Sequence, residues 1–595
     1  MIATGLYSNF ERVRLPRVPF GGDVVYTAQQ QTPDVQTSDL GPLPIVMHYL
    51  RELKVREIID KAVPPHTLHN ITHGECVEAL LCAIFLGTHT LSHVAETLER
   101  YDLPDLFNHP GLSSEQFNDT RIGETLDALY GKTENLYAEI VLRGIQAFHL
   151  KIQRIHTDST TLKLHGAYDS ILEVEQSFIK PPPIATFGKS KDHRPDLKQL
   201  LFSLSVSNEG IPIFGRVTDG NTSDVTEFRL HLEKLAAMLE DLREIILVAD
   251  SKLCTDPTLT LAHNLGFNLV TLLPDTFALR KQLIEQACKE ADLPLLLETS
   301  DHARYHGKSY KIPVLIEMND GTRETVFLRY LVVYSTQLEE QRRETLMREM
   351  AKERKALEKM LAKAATVPYA CRLDAEKIAS TTVANAKALH HNIEIAINER
   401  EVAKPLPRGR KAKDATPTTE TRYFLRCEIT EKPRPDCPFS PDGMFVLMTT
   451  ISDRRCLSDA RILEAYKGQQ VVEIGFHWLK GPLEVAPVFL KLLSRIDVLG
   501  FVYLISMFLY ALVQRDLRRE VSKRGVKIID PCQQKTAKPT ARALFKIFEG
   551  VSRVMVTHNG QTISQTRYLK PNHLLILEIM NWWHLYHMKN PAECT

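Results

Sequence analysis

The chain has 595 residues, too many for one hydrophobic core, so two to four domains are expected. Hydrophobic content is 44% and charged content 25%, ordinary for a soluble globular protein. Net charge is +1, so any nucleic-acid binding must come from local basic patches and not from bulk charge. Ten cysteines are scattered without a CxxC pair, which excludes a zinc ribbon or disulfide scaffold and fits a reducing cytoplasm.

Residues 1–38 are polar and without periodicity, and read as an extended or disordered arm carrying Arg12, Arg14 and Arg17. Residues 39–150 read as an N-terminal helical domain. Thr72 is a candidate N-cap, Gly131 a candidate helix stop, and a further helix is expected over 135–150.

At Lys151 the pattern changes to strands. IQRIHTDSTT alternates and breaks at Asp158, an acid whose place at the end of a buried strand calls for a partner such as a cation. FGKSKDHRPDLKQ follows, a basic turn-rich loop with Lys189, Lys191, Arg194 and Lys198; its composition suits phosphate contact and an ordinary solvated loop alike. A hairpin is expected around Asn208–Gly210, then a helix from Asp224 to Leu242. EIILVAD is an apolar strand ending in Asp250, followed by a helix from Pro257 and the strand NLVTLL. If the strands leading to Asp158 and Asp250 are neighbours, the two carboxylates meet at one edge of a mixed sheet. Asp169 is a rival for the first acid, while Asp219 and Asp224 read as turn-forming and helix-capping.

Residues 275–445 depart from this pattern. They contain a strand pair around Asn319-Asp320-Gly321, a long charged helix from Gln337 to Ala365, and the basic segment KPLPRGRKAK with Arg408, Arg410 and Lys411. The interval from Asp250 to Glu473 is more than twice that from Asp158 to Asp250, which points to an inserted domain rather than a loop. The division is therefore 1–38 arm, 39–150 helical domain, 151–274 first part of the core, 275–445 inserted domain, 446–530 second part of the core, and 531–595 C-terminal small domain. The apolar run Val498–Val513 is sixteen residues long, short of the ~20 that span a bilayer, and reads as a buried helix with no membrane role.

The stretch YKGQQVVEIGFHWLK, Tyr466 to Lys480, reads as one helix of roughly 21 Å. Ile462, Ala465, Val472, Phe476 and Leu479 make a buried stripe; Tyr466, Gln469, Glu473, His477 and Lys480 flank it as a polar face. Gly468 and Gly475 cost such a helix about 1 kcal/mol each unless a backbone or a nucleic acid comes close. By itself Glu473 is an ordinary surface charge. With Asp158 and Asp250 it completes the set that two-Mg²⁺ phosphoryl transfer needs, two ions ~4 Å apart on hard oxygen ligands. Asp158 would bridge both ions, and Asp250 and Glu473 would each hold one. His156 and His477 flank the acids, with packing or phosphate contact favoured over metal ligation.

The spacing Tyr466, Gln469, Glu473, Lys480, with HTDSTT at the first acid, DGNTSD at 219–224 and VAD at the second, resembles the DDE transposases of bacterial insertion sequences, in the subgroup marked by a Y-(2)-R-(3)-E-(6)-K signature. The resemblance covers about residues 40–580. It implies an α+β and α/β multidomain chain: an RNase H-like (retroviral-integrase-like) mixed-sheet core interrupted by an inserted domain, with an N-terminal helical domain. It implies Mg²⁺-dependent cleavage at transposon ends, with Mn²⁺ as a substitute, and strand transfer into target DNA. It also implies a homodimer on paired double-stranded DNA ends, a nucleoid-associated cytoplasmic location and no small-molecule substrate. Tyr466, Gln469 and Lys480 would contact phosphates of the transposon end and help hold a flipped base. Two departures stand out. Gln469 replaces the signature arginine, losing a permanent charge and a bidentate fork. Ser251 and Lys252 follow Asp250 where many relatives carry arginine and glycine.

Overall fold

The computed structural model describes residues 34–65, 69–88, 90–164, 168, 181–188, 196–251, 254–318, 321–404, 419–432, 438–480, 490–558 and 561–588; of His477, Leu479 and Lys480 it describes the backbone alone. The expectations for Asp169, Lys189, Lys191, Arg194, Lys252, Arg408, Arg410 and Lys411 therefore lie outside the described residues.

The chain enters on strand β1 (Asp34–Asp39) and continues through helices α1 (Leu43–Glu52), α2 (Val55–Ala62), α3 (His73–Phe85), α4 (Val94–Leu98), α5 (Leu103–Leu106), α6 (Asp119–Leu129) and α7 (Thr133–Phe148). Thr72 does start α3: its hydroxyl accepts from the Glu75 N–H at 3.1 Å, and the Glu75 carboxylate accepts from the Thr72 N–H at 2.8 Å. This reciprocal cap satisfies two end donors of a helix that is otherwise buried nearly all round.

Strands β2 (Arg154–Lys163), β3 (Gln199–Ser207) and β4 (Pro212–Asp219) follow, then α8 (Asp224–Met238), β5 (Ile246–Ala249), α9 (Asp256–Leu265), β6 (Asn268–Leu272) and α10 (Ala278–Glu290). Next come β7 (Leu295–Glu298), β8 (Arg304–Glu317), β9 (Arg323–Ser335), α11 (Thr336–Ala365), α12 (Arg372–Ala386), β10 (His391–Ala403), β11 (Thr419–Glu431) and β12 (Met444–Thr449). One nine-stranded mixed sheet runs in the order β4-β3-β2-β5-β6-β12-β9-β8-β7. β2 is antiparallel to β3 and parallel to β5, and β5 is parallel to β6. β12 returns antiparallel to both β6 and β9.

That order departs from a wholly separate inserted domain over 275–445. β7, β8 and β9 extend the sheet of β2–β6, joined to it through β12. The reason is burial on both faces: Leu331, Val332 and Val333 of β9 are fully buried, and a strand apolar on both sides needs neighbours and cover on both sides. What remains outside the sheet is α11, α12 and the separate two-stranded ladder of β10 and β11. The exposed length of α11 carries the expected i,i+4 ion pairs, Glu344–Arg348 at 3.2 Å and Arg354–Glu358 at 3.1 Å.

The final part holds α13 (Asp459–Lys467), α14 (Gln470–Lys480), α15 (Leu493–Arg524), the short pair β13 (Ile528–Ile529) and β14 (Lys535–Thr536), α16 (Ala541–Phe548), β15 (Ser552–His558), β16 (Gln561–Arg567) and α17 (Pro571–Met580). α15 is the one described helix long and apolar enough to cross a membrane, and 94% of its apolar window is buried inside the protein. It lies between β4 of the sheet and helices α3, α6 and α7, which explains an apolar surface all round.

β1 pairs along its whole length with β15, Asp34 opposite Thr557 and Asp39 opposite Ser552. The end of the expected arm is thus a strand, and the C-terminal piece closes onto the N-terminal helices instead of standing alone. DVQTSD has no apolar alternation to announce it; backbone hydrogen bonds hold it.

Candidate functional site

Asp158 is the fifth residue of β2, so it lies within the strand and not at its end. β2 and β5 run parallel with His156 opposite Val248. The pairing ends there; continued two residues along both chains, the same register brings Asp250, just past β5, level with Asp158. Neighbouring strands are roughly 4.8 Å apart. Partners in a parallel pair share a face, so both acids stand on the face that carries His156 and Val248. Both are exposed, although the strand residues before them are buried. Each carboxylate is held in the same local way: Asp158 Oδ1 accepts from the Ser159 N–H at 2.7 Å, and Asp250 Oδ1 accepts from the Ser251 N–H at 2.7 Å. The buried Thr271 hydroxyl also donates to the Asp250 carbonyl at 3.1 Å.

Helices α13 and α14 cover this face. Ile462, Leu463 and Ala465 of α13 pack with Val248 and Val270 of the sheet. α14 lies against β2, β3 and α15. The predicted single helix from Tyr466 to Lys480 is in fact two, with Gly468 and Gln469 as the break. The hydrogen bonds Val471 N–H to Gly468 C=O and Val472 N–H to Gln469 C=O tighten the chain there. Close packing explains both glycines. A Cβ on Gly468 would lie 3.1 Å from Cε1 of His156, and one on Gly475 would lie 3.1 Å from Cδ2 of Leu204. At Gly468 the carbonyl oxygen of Ala465 lies equally near, at 3.1 Å.

The break redistributes the predicted polar face. Glu473 is exposed on α14, whose buried side is Val472, Gly475 and Phe476. Leu204, under Gly475, is the strand partner of Asp158, so α14 crosses the sheet beside the first acid. Tyr466 belongs to α13, half-buried against Phe445 with ring centroids 6.3 Å apart. Burial, and then the negative charge of Asp250, push its hydroxyl up to about 12. Gln469 occupies the break, half-buried. Lys480 ends α14. Lys198 leads into β3, where its carbonyl accepts from the Leu164 N–H at 2.9 Å just beyond β2.

Among the described residues, no three His, Cys, Asp or Glu side chains gather as a ready metal cage. The side-by-side aspartates offer the hard oxygens that Mg²⁺ takes, with water completing its shell. Glu473 does not close a three-carboxylate set with them in this conformation. His156 is buried, and its imidazole is pushed down to about 4, by burial first and the Arg154 charge second, so it packs as a neutral ring.

Behind the acids lies a polar layer that sequence reading missed. Thr157 and Ser205 are hydrogen-bonded through their hydroxyls at 2.6 Å, and His231 of α8 bridges Ser205 (Nδ1, 2.7 Å) and Ser203 (Nε2, 2.9 Å). Ser203 donates to Glu227 at 2.7 Å, and Arg216 lies 3.3 Å from the same carboxylate. Ser159 donates to Asp224 at 2.7 Å. The signal was present in the alternation of β2 and β3: Thr157, Ser159, Ser203 and Ser205 fall on one face, where buried strands ordinarily carry apolar residues. Asp219 does sit in its turn, its carbonyl accepting from the Thr222 N–H at 3.0 Å, while its carboxylate accepts from the distant Ile184 N–H at 2.7 Å; Ser223 and not Asp224 caps α8.

Comparison with known proteins gives one matching family model and several structural matches. Residues 35–142, the end of β1 and most of the helical block, match the family DUF4277, described as a domain of unknown function. Among the structural matches is a piggyBac transposase in a synaptic complex with hairpin DNA, at 10% sequence identity and a TM-score of 0.33 over 86% of this chain and 82% of that one. No curated protein matches the chain.

Proposed function

We propose that the chain is a DNA transposase of the DDE kind, cutting double-stranded DNA at the ends of an insertion sequence and joining them to a target. One observation carries this reading. The parallel register of β2 and β5, continued two residues past its last pair, brings Asp158 and Asp250 level with each other, and α14, which bears Glu473, crosses the sheet beside Asp158. The strand order β4-β3-β2-β5-β6, antiparallel then parallel, supports an RNase H-like core. The open, exposed setting of the three acids suits a polymer substrate better than an enclosed small molecule.

In this reading Asp158 and Asp250 hold Mg²⁺, or Mn²⁺ in its stead, with Glu473 as the third carboxylate. A bound divalent ion supplies Lewis-acid stabilisation of the phosphate oxygens. The protein's part is to present the oxygens and to hold the DNA strand in line. Tyr466, Gln469 and Lys480 contact the strand, the basic residues Lys189, Lys191, Arg194, Lys198, Arg408, Arg410 and Lys411 contact phosphate, and two copies pair the ends. Gln469 in place of the signature arginine favours a second reading, a nuclease of the same core without strand transfer.

Incubation with the flanking element's end sequences and Mg²⁺ tests the proposal. Native protein nicks at the element boundary and joins the ends to a target; Asp158→Ala does neither. Equal nicking by the variant refutes the site, and nicking without joining selects the nuclease.

A further inference from the structure

We propose that Asp224 is a positioning residue that acts through Ser159 to hold the Asp158 carboxylate, an inference that rests on the transposase reading of that acid. Successive residues of a strand point to opposite faces, so Asp158 faces the α13–α14 side and Ser159 faces α8. Ser159 does two things at once. Its N–H donates to Asp158 Oδ1 at 2.7 Å, and its hydroxyl donates to Asp224 Oδ1 at 2.7 Å. An O–H···O⁻ bond of that length is of the strong charge-assisted kind. It ties to α8 the side chain of the residue whose N–H aims at the acid.

Asp224 is the first residue of α8, where a carboxylate usually serves the helix end. Here the Ser223 hydroxyl caps, accepting from the Thr226 N–H at 3.1 Å, and the Asp224 carboxylate is turned to the strand. The helix is fastened in line with it. Asp224, Glu227 and His231 recur at steps of three and four, one helix face, and bond in turn to Ser159, Ser203 and Ser205. A polar helix stripe therefore meets a polar strand face directly behind the acid-bearing position. Because Ser159 and Asp158 lie on opposite faces, Asp224 reaches the acid through the strand and does not share its ligand.

The test uses full-length protein, a DNA fragment carrying the element end, and Mn²⁺ titrated by electron paramagnetic resonance. Loss of an outer hydrogen-bond partner typically costs about 10–100-fold in metal affinity or rate. Asp224→Ala and Ser159→Ala are each expected to weaken Mn²⁺ binding and slow single-turnover nicking within that range, with half-saturating DNA unchanged. Asp224→Asn keeps an acceptor oxygen and is expected to restore both within about threefold. The double variant is expected to lose no more than either single one, as coupled residues do. Unchanged Mn²⁺ affinity in Asp224→Ala overturns the proposal, as does Asp224→Asn behaving like Asp224→Ala, additive losses, or native protein that takes up no Mn²⁺. Native protein that binds Mn²⁺ yet nicks no DNA instead refutes the transposase reading, and the Mn²⁺ series still judges Asp224.

Discussion

Gly468 lies against the ring of His156: a Cβ there would come within 3.1 Å of Cε1 and 3.3 Å of Nε2. The imidazole is buried under the end of α13. The contact lies where α13 stops and α14, the helix that carries Glu473, is about to begin.

Gly468→Val is therefore expected to destabilise the protein by about 1–3 kcal/mol, the usual range for overpacking a filled interior. Urea unfolding measures this. Nicking should fall more than the stability loss accounts for, because the substitution also turns α14. Native stability in the variant would mean that His156 yields and the glycine is dispensable.

The three acids should respond alike to neutralisation. Asp158→Asn, Asp250→Asn and Glu473→Gln are each expected to lower single-turnover nicking by about 10³-fold or more while leaving DNA binding within a few-fold. Lys480→Ala separates the two enzymatic readings: a transposase loses end cleavage with it, and a nuclease that does not read the end keeps cleaving. Gel analysis of end-labelled DNA distinguishes these outcomes.

Stability should depend on pH through buried histidine. His73, at the start of α3, is pushed down to about 4 by burial first and the Arg121 charge second. The unfolded chain takes up a proton near its ordinary value of 6.5. As pH falls from 6.5 toward 4 the unfolded state gains a proton that the folded state refuses, so stability drops, by about 3 kcal/mol over the full window. Glu78 acts with the opposite sign. Burial raises it to about 7 against the pull of Arg56, so its contribution is lost as pH rises from 4.5 through 7. His73→Leu should flatten the acid limb alone, a change of slope that chemical denaturation at a series of pH values detects. An unchanged acid slope would show that His73 is not held neutral.

Phe508 of α15 is fully buried, edge-on to Tyr137 of α7 with ring centroids 6.4 Å apart. Phe508→Ala is expected to cost about 3–5 kcal/mol by opening a cavity between the helical block and the sheet. A loss below about 1 kcal/mol would mean that the two layers close over the gap.

Local rules made much of this chain legible in advance. The Thr72 cap, the hairpin over 208–210 and the start of α8 depend on neighbours a few residues away, and periodicity or capping chemistry announces them. The apolar run 498–513 was readable as a buried helix, although α15, which carries it, extends to a length that could cross a bilayer. Other features were decided by partners distant in the chain. β1 joins β15, and β12 carries β7–β9 onto the sheet, through backbone hydrogen bonds that are the same for every residue and leave no mark in the sequence. The contact of Gly468 with His156 could not be foreseen because His156 lies some three hundred residues earlier. Only the folded chain shows that Asp224, read as a cap, is a hydrogen-bond partner of the strand beneath the first acid.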